Sequence, residues 1–275
     1  MAASRLTHFL CLPLITQHSR PQLQLSLQQF AATVVDKYDV PHKAIRPIGT
    51  IHLTLGVMQL ITEEQVEAAS AFLRSLDLAQ MLQAVSQRGV VHANITKPPD
   101  NSAANRISSS TSAKPSIQEV TIPEASASDE SPPPLRISMS GLKSMHPPSK
   151  TSILYISPTD STSRLNAFTN SLRDAFLSVD LLVPDNRPLL LHATVVNTLY
   201  AKTKGRASGT GHGKDNRGIG KLDATALLEE FGDFEWAKDV YIEKVSICQM
   251  GAKKEIVDGV VVNEEYVEVA SVPLL

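Results

Sequence analysis

Two pentapeptides hold the residue types that can do chemistry: Ile51-His52-Leu53-Thr54-Leu55 and Leu191-His192-Ala193-Thr194-Val195. Side chains alternate along a β-strand, so His52 and Thr54 share one face while Ile51, Leu53 and Leu55 share the other. His192 and Thr194 repeat the arrangement. If the strands met, two imidazoles and two hydroxyls would surround one ligand, a set suited to a phosphodiester. Cleavage needs a base at the attacking oxygen and an acid at the leaving oxygen. Histidine serves in both roles because its unperturbed pKa near 6.5 keeps both forms accessible at neutral pH. Each role is worth about 10²–10⁴-fold in rate. Thr54 and Thr194 are short donors for the non-bridging oxygens, held stiff by β-branching. A single histidine on an apolar strand is more often a hydrogen-bonded core residue. Two in the same spacing, face and order argue for a shared ligand site.

Other residues are weaker candidates. Arg46, six positions before His52, could reach a phosphate at the rim, although a surface arginine is the commoner meaning of such a residue. Tyr200, after the second pentapeptide, could stack on a base or simply pack. His8 and His42 read as surface or edge residues. His92 sits in a strand-like pattern without a threonine two positions on, and His146 and His212 lie beside prolines or glycines. None has a cysteine or carboxylate at metal-ligand spacing, so no metal and no cofactor are expected. Gly209-x-Gly211-x-Gly213 lies in a polar stretch rather than between a strand and a helix, which excludes a nucleotide-binding loop.

The elements that must position these groups alternate along the chain. Residues 8–15 read as a buried strand and Gln24–Tyr38 as a helix with Leu25, Leu27, Phe30, Val34 and Val35 on its apolar stripe. Ile51–Val57 is the first motif strand. Thr62 and Gln65 form a capping box for a helix running to about Leu76. Gly89–Ile95 reads as a strand, Leu135–Met139 as a strand closed by Gly141, and Ser152–Ser157 as another. Ser161–Leu177 is a helix with Leu165, Phe168, Leu172 and Phe176 inward. Leu189–Asn197 is the second motif strand, Asp223–Phe231 a short helix, and Asp239–Met250 with Val260–Val272 a terminal hairpin. The chain is thus α+β, in two similar halves.

Two inserts interrupt this order. Residues 98–134 carry nine serines and seven prolines and no aromatic residue. They cannot bury enough apolar surface to offset their ordering entropy, so a disordered insert is expected. Residues 202–221 form a glycine-rich loop with six basic residues and one acidic; such a charge run is more often just a solvated flexible loop, although it could steer a polyanion by local charge. The remaining chain, residues 6–273, fits one domain with lobes over about 6–97 and 135–273.

Composition adds bounds. The chain has 275 residues, 42% hydrophobic and 20% charged, with formal net charge −2. That is ample for a core and gives no global attraction to nucleic acid or membrane. Cys11 and Cys248, the only two cysteines, lie in apolar runs and read as reduced core residues. No apolar run has membrane-spanning length, and no signal-peptide pattern opens the chain. A nuclear or cytoplasmic location and no membrane partner are expected.

The paired His-x-Thr blocks resemble the signature of the two-histidine (2H) phosphoesterase superfamily, the LigT-like group. The flanks Thr7-His8-Phe9-Leu10-Cys11-Leu12-Pro13-Leu14, Gly56-Val57-Met58 and Val196-Asn197-Thr198, with the Phe231-Gly232 turn, are most similar to one branch. That branch joins the A-kinase anchoring protein phosphoesterase-like domain and the small subunit of the activating signal cointegrator complex. The resemblance implies two lobes of antiparallel sheet around a cleft, in pseudo-two-fold duplication, with strands exchanged between lobes and His52 and His192 on opposing central strands. It implies a metal-independent phosphodiesterase acting on RNA ends or 2′,3′-cyclic phosphates. An alternative is a nucleotide- or RNA-binding subunit, without turnover, of a nuclear coactivator or nucleic-acid-repair complex. Neither an RNA-binding KH domain ahead of the first strand nor an anchoring helix after the last is expected.

Overall fold

A computed structural model of the chain describes residues 5–95, 133–201 and 220–274. The inserts read at 98–134 and 202–221 lie outside the described residues, apart from 133–134 and 220–221. Pro133 and Pro134 belong to the folded body: their carbonyls accept from Arg164 Nη1 and Nη2 at 2.8 and 3.0 Å.

The fold is α+β, with two antiparallel four-stranded sheets. The strands are β1 (His8–Pro13), β2 (His52–Met58), β3 (Arg136–Ser144), β4 (Ile153–Thr159), β5 (Ala193–Asn197), β6 (Glu235–Tyr241), β7 (Lys244–Gln249), β8 (Lys253–Val257), β9 (Val260–Glu265) and β10 (Glu268–Pro273). The helices are α1 (Arg20–Tyr38), α2 (Glu63–Ser75), α3 (Leu78–Ile95), α4 (Arg164–Ser178) and α5 (Thr225–Glu230). One sheet has the order β10-β7-β1-β2 and the other β5-β4-β3-β6, while β8 and β9 form a separate hairpin.

The motif strands β2 and β5 are therefore the outer strands of their sheets rather than central ones. They abut at the middle of the molecule. Arg46 N donates to Val195 O at 2.8 Å, and Ile45 bridges Val196. Each outer strand keeps its apolar face: Ile51, Leu53 and Leu55, and Leu191, Ala193 and Val195, are buried.

Helix signals acted as the sequence implies. Thr62 Oγ1 accepts from Gln65 N, and the Gln65 side chain accepts from Thr62 N, closing the capping box of α2. In α4, Leu165, Phe168, Leu172 and Phe176 are all buried. At about 1.5–3 kcal/mol each, that burial outweighs the cap of about 1 kcal/mol that Ser163 does not supply.

Several readings are corrected. Residues 89–95 are helical, the second half of α3. Leu78, Leu82 and Val85 are buried at helical spacing, and Asp77 Oδ1 accepts from Gln80 N at its start. Leu25 of α1 is exposed, and Leu23 and Ser26 take the inward places with Phe30 and Val34. Strand β3 does not stop at Gly141, whose positive φ of 70° lets the chain pass Gly232 O and continue to Ser144. The run 239–250 is two strands in two sheets, β6 and β7. The run 260–272 likewise divides into β9 and β10, and the terminal pairing is β7 with β10, from Glu268 opposite Cys248 to Pro273 opposite Lys244. Cys11 and Cys248 are buried and free, with sulfurs 3.8 Å apart on neighbouring strands. His8 is buried, not an edge residue. Its Nδ1 lies 2.9 Å from Thr7 Oγ1, and burial lowers its pKa.

Candidate active site

A cavity of about 180 Å³ lies where β2 meets β5, lined by Arg46, Thr50, His52, Thr54, His192, Thr194, Asn197, Tyr200 and Tyr266. All six residues singled out from the sequence are in that set. The half-buried positions His52, Thr54, His192 and Thr194 alternate with buried neighbours, as strand periodicity requires. His192 stands just ahead of β5 rather than within it.

Each imidazole is fixed by a backbone carbonyl two residues earlier. His52 Nδ1 is 2.8 Å from Thr50 O, and His192 Nδ1 is 2.8 Å from Leu190 O. A carbonyl only accepts, so both Nδ1 atoms carry protons and each Nε2 is left for the cavity. His52 Nε2 lies 3.0 Å from Thr54 Oγ1, and in this tautomer the hydroxyl donates. Thr194 makes no protein hydrogen bond through its hydroxyl among the described residues.

The two rings differ in surroundings. His52 packs between Phe9, 4.8 Å between centroids, and Tyr266, 5.1 Å and edge-on. Its pKa is lowered from 6.5 to about 4, chiefly by burial, with the Thr50 carbonyl opposing and Arg46 and His192 adding to the fall. His52 is therefore a neutral acceptor at neutral pH. His192 meets Tyr155 edge-on at 5.4 Å.

Arg46 is not a surface arginine: it is 6% exposed. Its guanidinium lies 4.1 Å from the Tyr200 ring centroid, a cation–π contact, and Nη2 donates to Tyr266 Oη at 3.4 Å. Among the described residues no carboxylate pairs with it. A buried cation without an anionic partner is costly unless an anion arrives, so the cavity is electrostatically prepared for one. Tyr200 is 54% exposed and presents its ring at the mouth. Among the described residues, no group of three or more His, Cys, Asp or Glu side chains is placed to hold a metal ion, and no helix is long and apolar enough to cross a membrane.

Sequence reasoning missed Thr50, Asn197 and Tyr266. Thr50 ends the helical turn Ile48–Thr50, where strand alternation does not reach, and it serves His52 through its carbonyl rather than its side chain. Tyr266 arrives from the link between β9 and β10, and nothing local marks it.

Two lobes of antiparallel sheet meeting at paired His-x-Thr segments define a two-histidine phosphoesterase. The chain belongs, within that superfamily, to the family described as the AKAP7 2′5′ RNA ligase-like domain, which matches residues 6–260. An uncharacterized Schizosaccharomyces pombe protein is 32% identical over 128 residues, 46% of this chain and 52% of that protein. The match thus spans about half the length of this curated relative. Among solved structures, Escherichia coli LigT complexed with 3′-AMP is 12% identical at a TM-score of 0.42, covering 98% of this chain and 97% of that one. Kluyveromyces marxianus Usb1 with uridine monophosphate is 11% identical at a TM-score of 0.33, covering 88% and 92%.

Proposed function

We propose that this domain cleaves phosphodiesters at RNA ends or in 2′,3′-cyclic phosphates by metal-independent acid–base catalysis. One observation carries the reading: both His-x-Thr segments line a single small cavity, beside an arginine with no carboxylate partner among the described residues. Membership of a phosphoesterase family supports the reaction class. RNA or a nucleotide is the partner, and either a nuclear or a cytoplasmic site of action accords with it.

The phosphate sits between the two imidazoles, with Arg46 balancing its charge. Thr54 turns its hydroxyl from His52 Nε2 to a non-bridging oxygen, and Thr194 donates to the other. That turn frees His52 Nε2, which takes the proton of the attacking hydroxyl. His192 enters the step as the imidazolium, keeps Nδ1–H on Leu190 O, and gives its Nε2 proton to the leaving oxygen, ending neutral. The nucleophile–phosphorus bond forms as the opposite phosphorus–oxygen bond breaks, so the two histidines must flank phosphorus in line.

The test is turnover of 2′,3′-cyclic nucleotides and short oligoribonucleotides in EDTA. His52→Ala and His192→Ala should each lower kcat/KM by about 10²–10⁴-fold. Loss of activity on chelation, or survival of either variant at full rate, overturns the mechanism. Tight RNA binding without turnover by the wild type would favour a binding subunit instead.

A further inference from the structure

The β8–β9 hairpin and the turn after it lie outside the four-stranded sheets, yet they complete the site. Strand β9 crosses the short helical turn Ile48–Thr50 that leads into β2. The crossing is close: a Cβ on Gly49 would stand 2.6 Å from Glu264 O. Immediately beyond, Tyr266 turns inward. Its ring meets His52 edge-on at 5.1 Å and Phe9 edge-on at 4.9 Å. Its hydroxyl accepts from Arg46 Nη2 at 3.4 Å. Tyr266 lies past residue 260, where the family match ends.

We propose that Tyr266 is a positioning residue of the two-histidine site, carried by a C-terminal strap that covers the His52 ring and holds the Arg46 guanidinium toward the phosphate. The role rests on the proposed use of His52 as the base. Tyr266 acts through two neighbours. Its ring, with Phe9, flanks the imidazole and covers part of it from water. Its hydroxyl fixes one edge of a guanidinium whose face already rests on Tyr200. The titratable or charged groups facing the His52 ring are Arg46 before β2, His192 at the head of β5 and Tyr266 itself, and, across the wider cavity on its other side, Arg20, Lys244, Lys253, Lys254, Glu255, Glu265 and Glu268. Cys11 and Cys248 lie behind Phe9. Arg46 and His192 act against protonation of His52, and burial, the larger cause, includes the cover of the Tyr266 ring.

The experiment separates the ring from the hydroxyl in the full chain. The His52 Hε1–Cε1 resonance is titrated by NMR in wild type, Tyr266→Phe and Tyr266→Ala, and KM and kcat are measured on a 2′,3′-cyclic nucleotide. Tyr266→Phe should leave the His52 titration within about half a unit of wild type, while KM rises several-fold at nearly constant kcat. Tyr266→Ala should raise the His52 titration by about one unit or more as the ring hydrates. The acid limb of the kcat/KM profile should follow it. If Tyr266→Ala unfolds the chain, Gly49→Ala displaces the strap instead and should give the same upward titration. An unmoved His52 in both Tyr266→Ala and Gly49→Ala overturns the proposal, and an unchanged KM in Tyr266→Phe overturns its Arg46 half. The titration needs no turnover. A wild type inactive on every substrate, with the shift still present, would overturn the enzymatic reading and leave the positioning role standing.

Discussion

A histidine closed between Phe9 and Tyr266 resists protonation, and folding stability must register that. His52 has a folded pKa of about 4 against 6.5 unperturbed. Between those values the unfolded chain takes up a proton that the folded chain refuses. The unfolding free energy should therefore fall as pH drops from about 6.5 to about 4, by at most about 1.4 kcal/mol per unit. Below that window this group adds nothing more. His8, also lowered by burial, contributes in the same direction, so the wild-type slope alone does not isolate His52. His52→Gln does, because it removes one contribution and leaves the other. Urea unfolding at pH 7 and pH 5 should show the wild type losing about 2 kcal/mol more than His52→Gln. Equal losses would mean that His52 is better hydrated than its packing implies. The depressed pKa keeps His52 unprotonated as substrate arrives, and a bound phosphate anion would raise it toward the operating pH, where a base accepts a proton most readily. Arg46 carries the complementary burden: buried on Tyr200 with no carboxylate partner among the described residues, it would be stabilised by the anion proposed for the site.

Elements differ in how openly the sequence declares them. The capping box of α2 is local, and its cost is measurable. Thr62→Ala removes the hydroxyl that accepts from Gln65 N and should destabilise the protein by about 1 kcal/mol. Thr62→Ser should restore most of it, as read from denaturant midpoints at constant m-value. The motif strands were legible for a similar reason: one buried face imposes strict alternation, and both pentapeptides obey it. Where tertiary partners decide, sequence runs mislead. Residues 89–95 look strand-like when taken alone, yet they extend a helix whose commitment is made upstream by Leu78, Leu82 and Val85. No glycine or proline separates Tyr241 from Lys244, so 239–250 looks like one strand although the chain there leaves one sheet for the other. Tyr266 was illegible because its meaning depends on a strap crossing Gly49, a contact between segments distant in sequence. Arg46 was visible as a candidate, but its burial was not, because that depends on Tyr200 and Tyr266 closing around it.

At the scale of the whole molecule, the two sheets draw on the chain unequally. The sheet holding His192 takes β3, β4, β5 and β6 from one continuous stretch. The sheet holding His52 takes β1 and β2 from the start of the chain and β7 and β10 from its end. A fragment of residues 1–97 therefore owns only two of its sheet's four strands, and an isolated strand pair is marginal in water. Helix α1 in that fragment also needs the later chain, since Ser26 Oγ donates to Trp236 O at 2.8 Å and Phe30 packs on Trp236 and Phe231. We expect residues 1–97 alone to show no cooperative melt. Co-expressed with residues 133–275, the fragment should assemble into a one-to-one complex by size exclusion, because the cut falls between the described segments and spares every strand pairing. The complex should regain wild-type kcat/KM within about an order of magnitude, as the cavity needs Arg46 and His52 from one piece and His192, Tyr200 and Tyr266 from the other. A cooperative melt from residues 1–97 alone would show that β1 and β2 need no partner strands. The strap carrying Tyr266 would then be an addition to a finished lobe rather than part of what builds it.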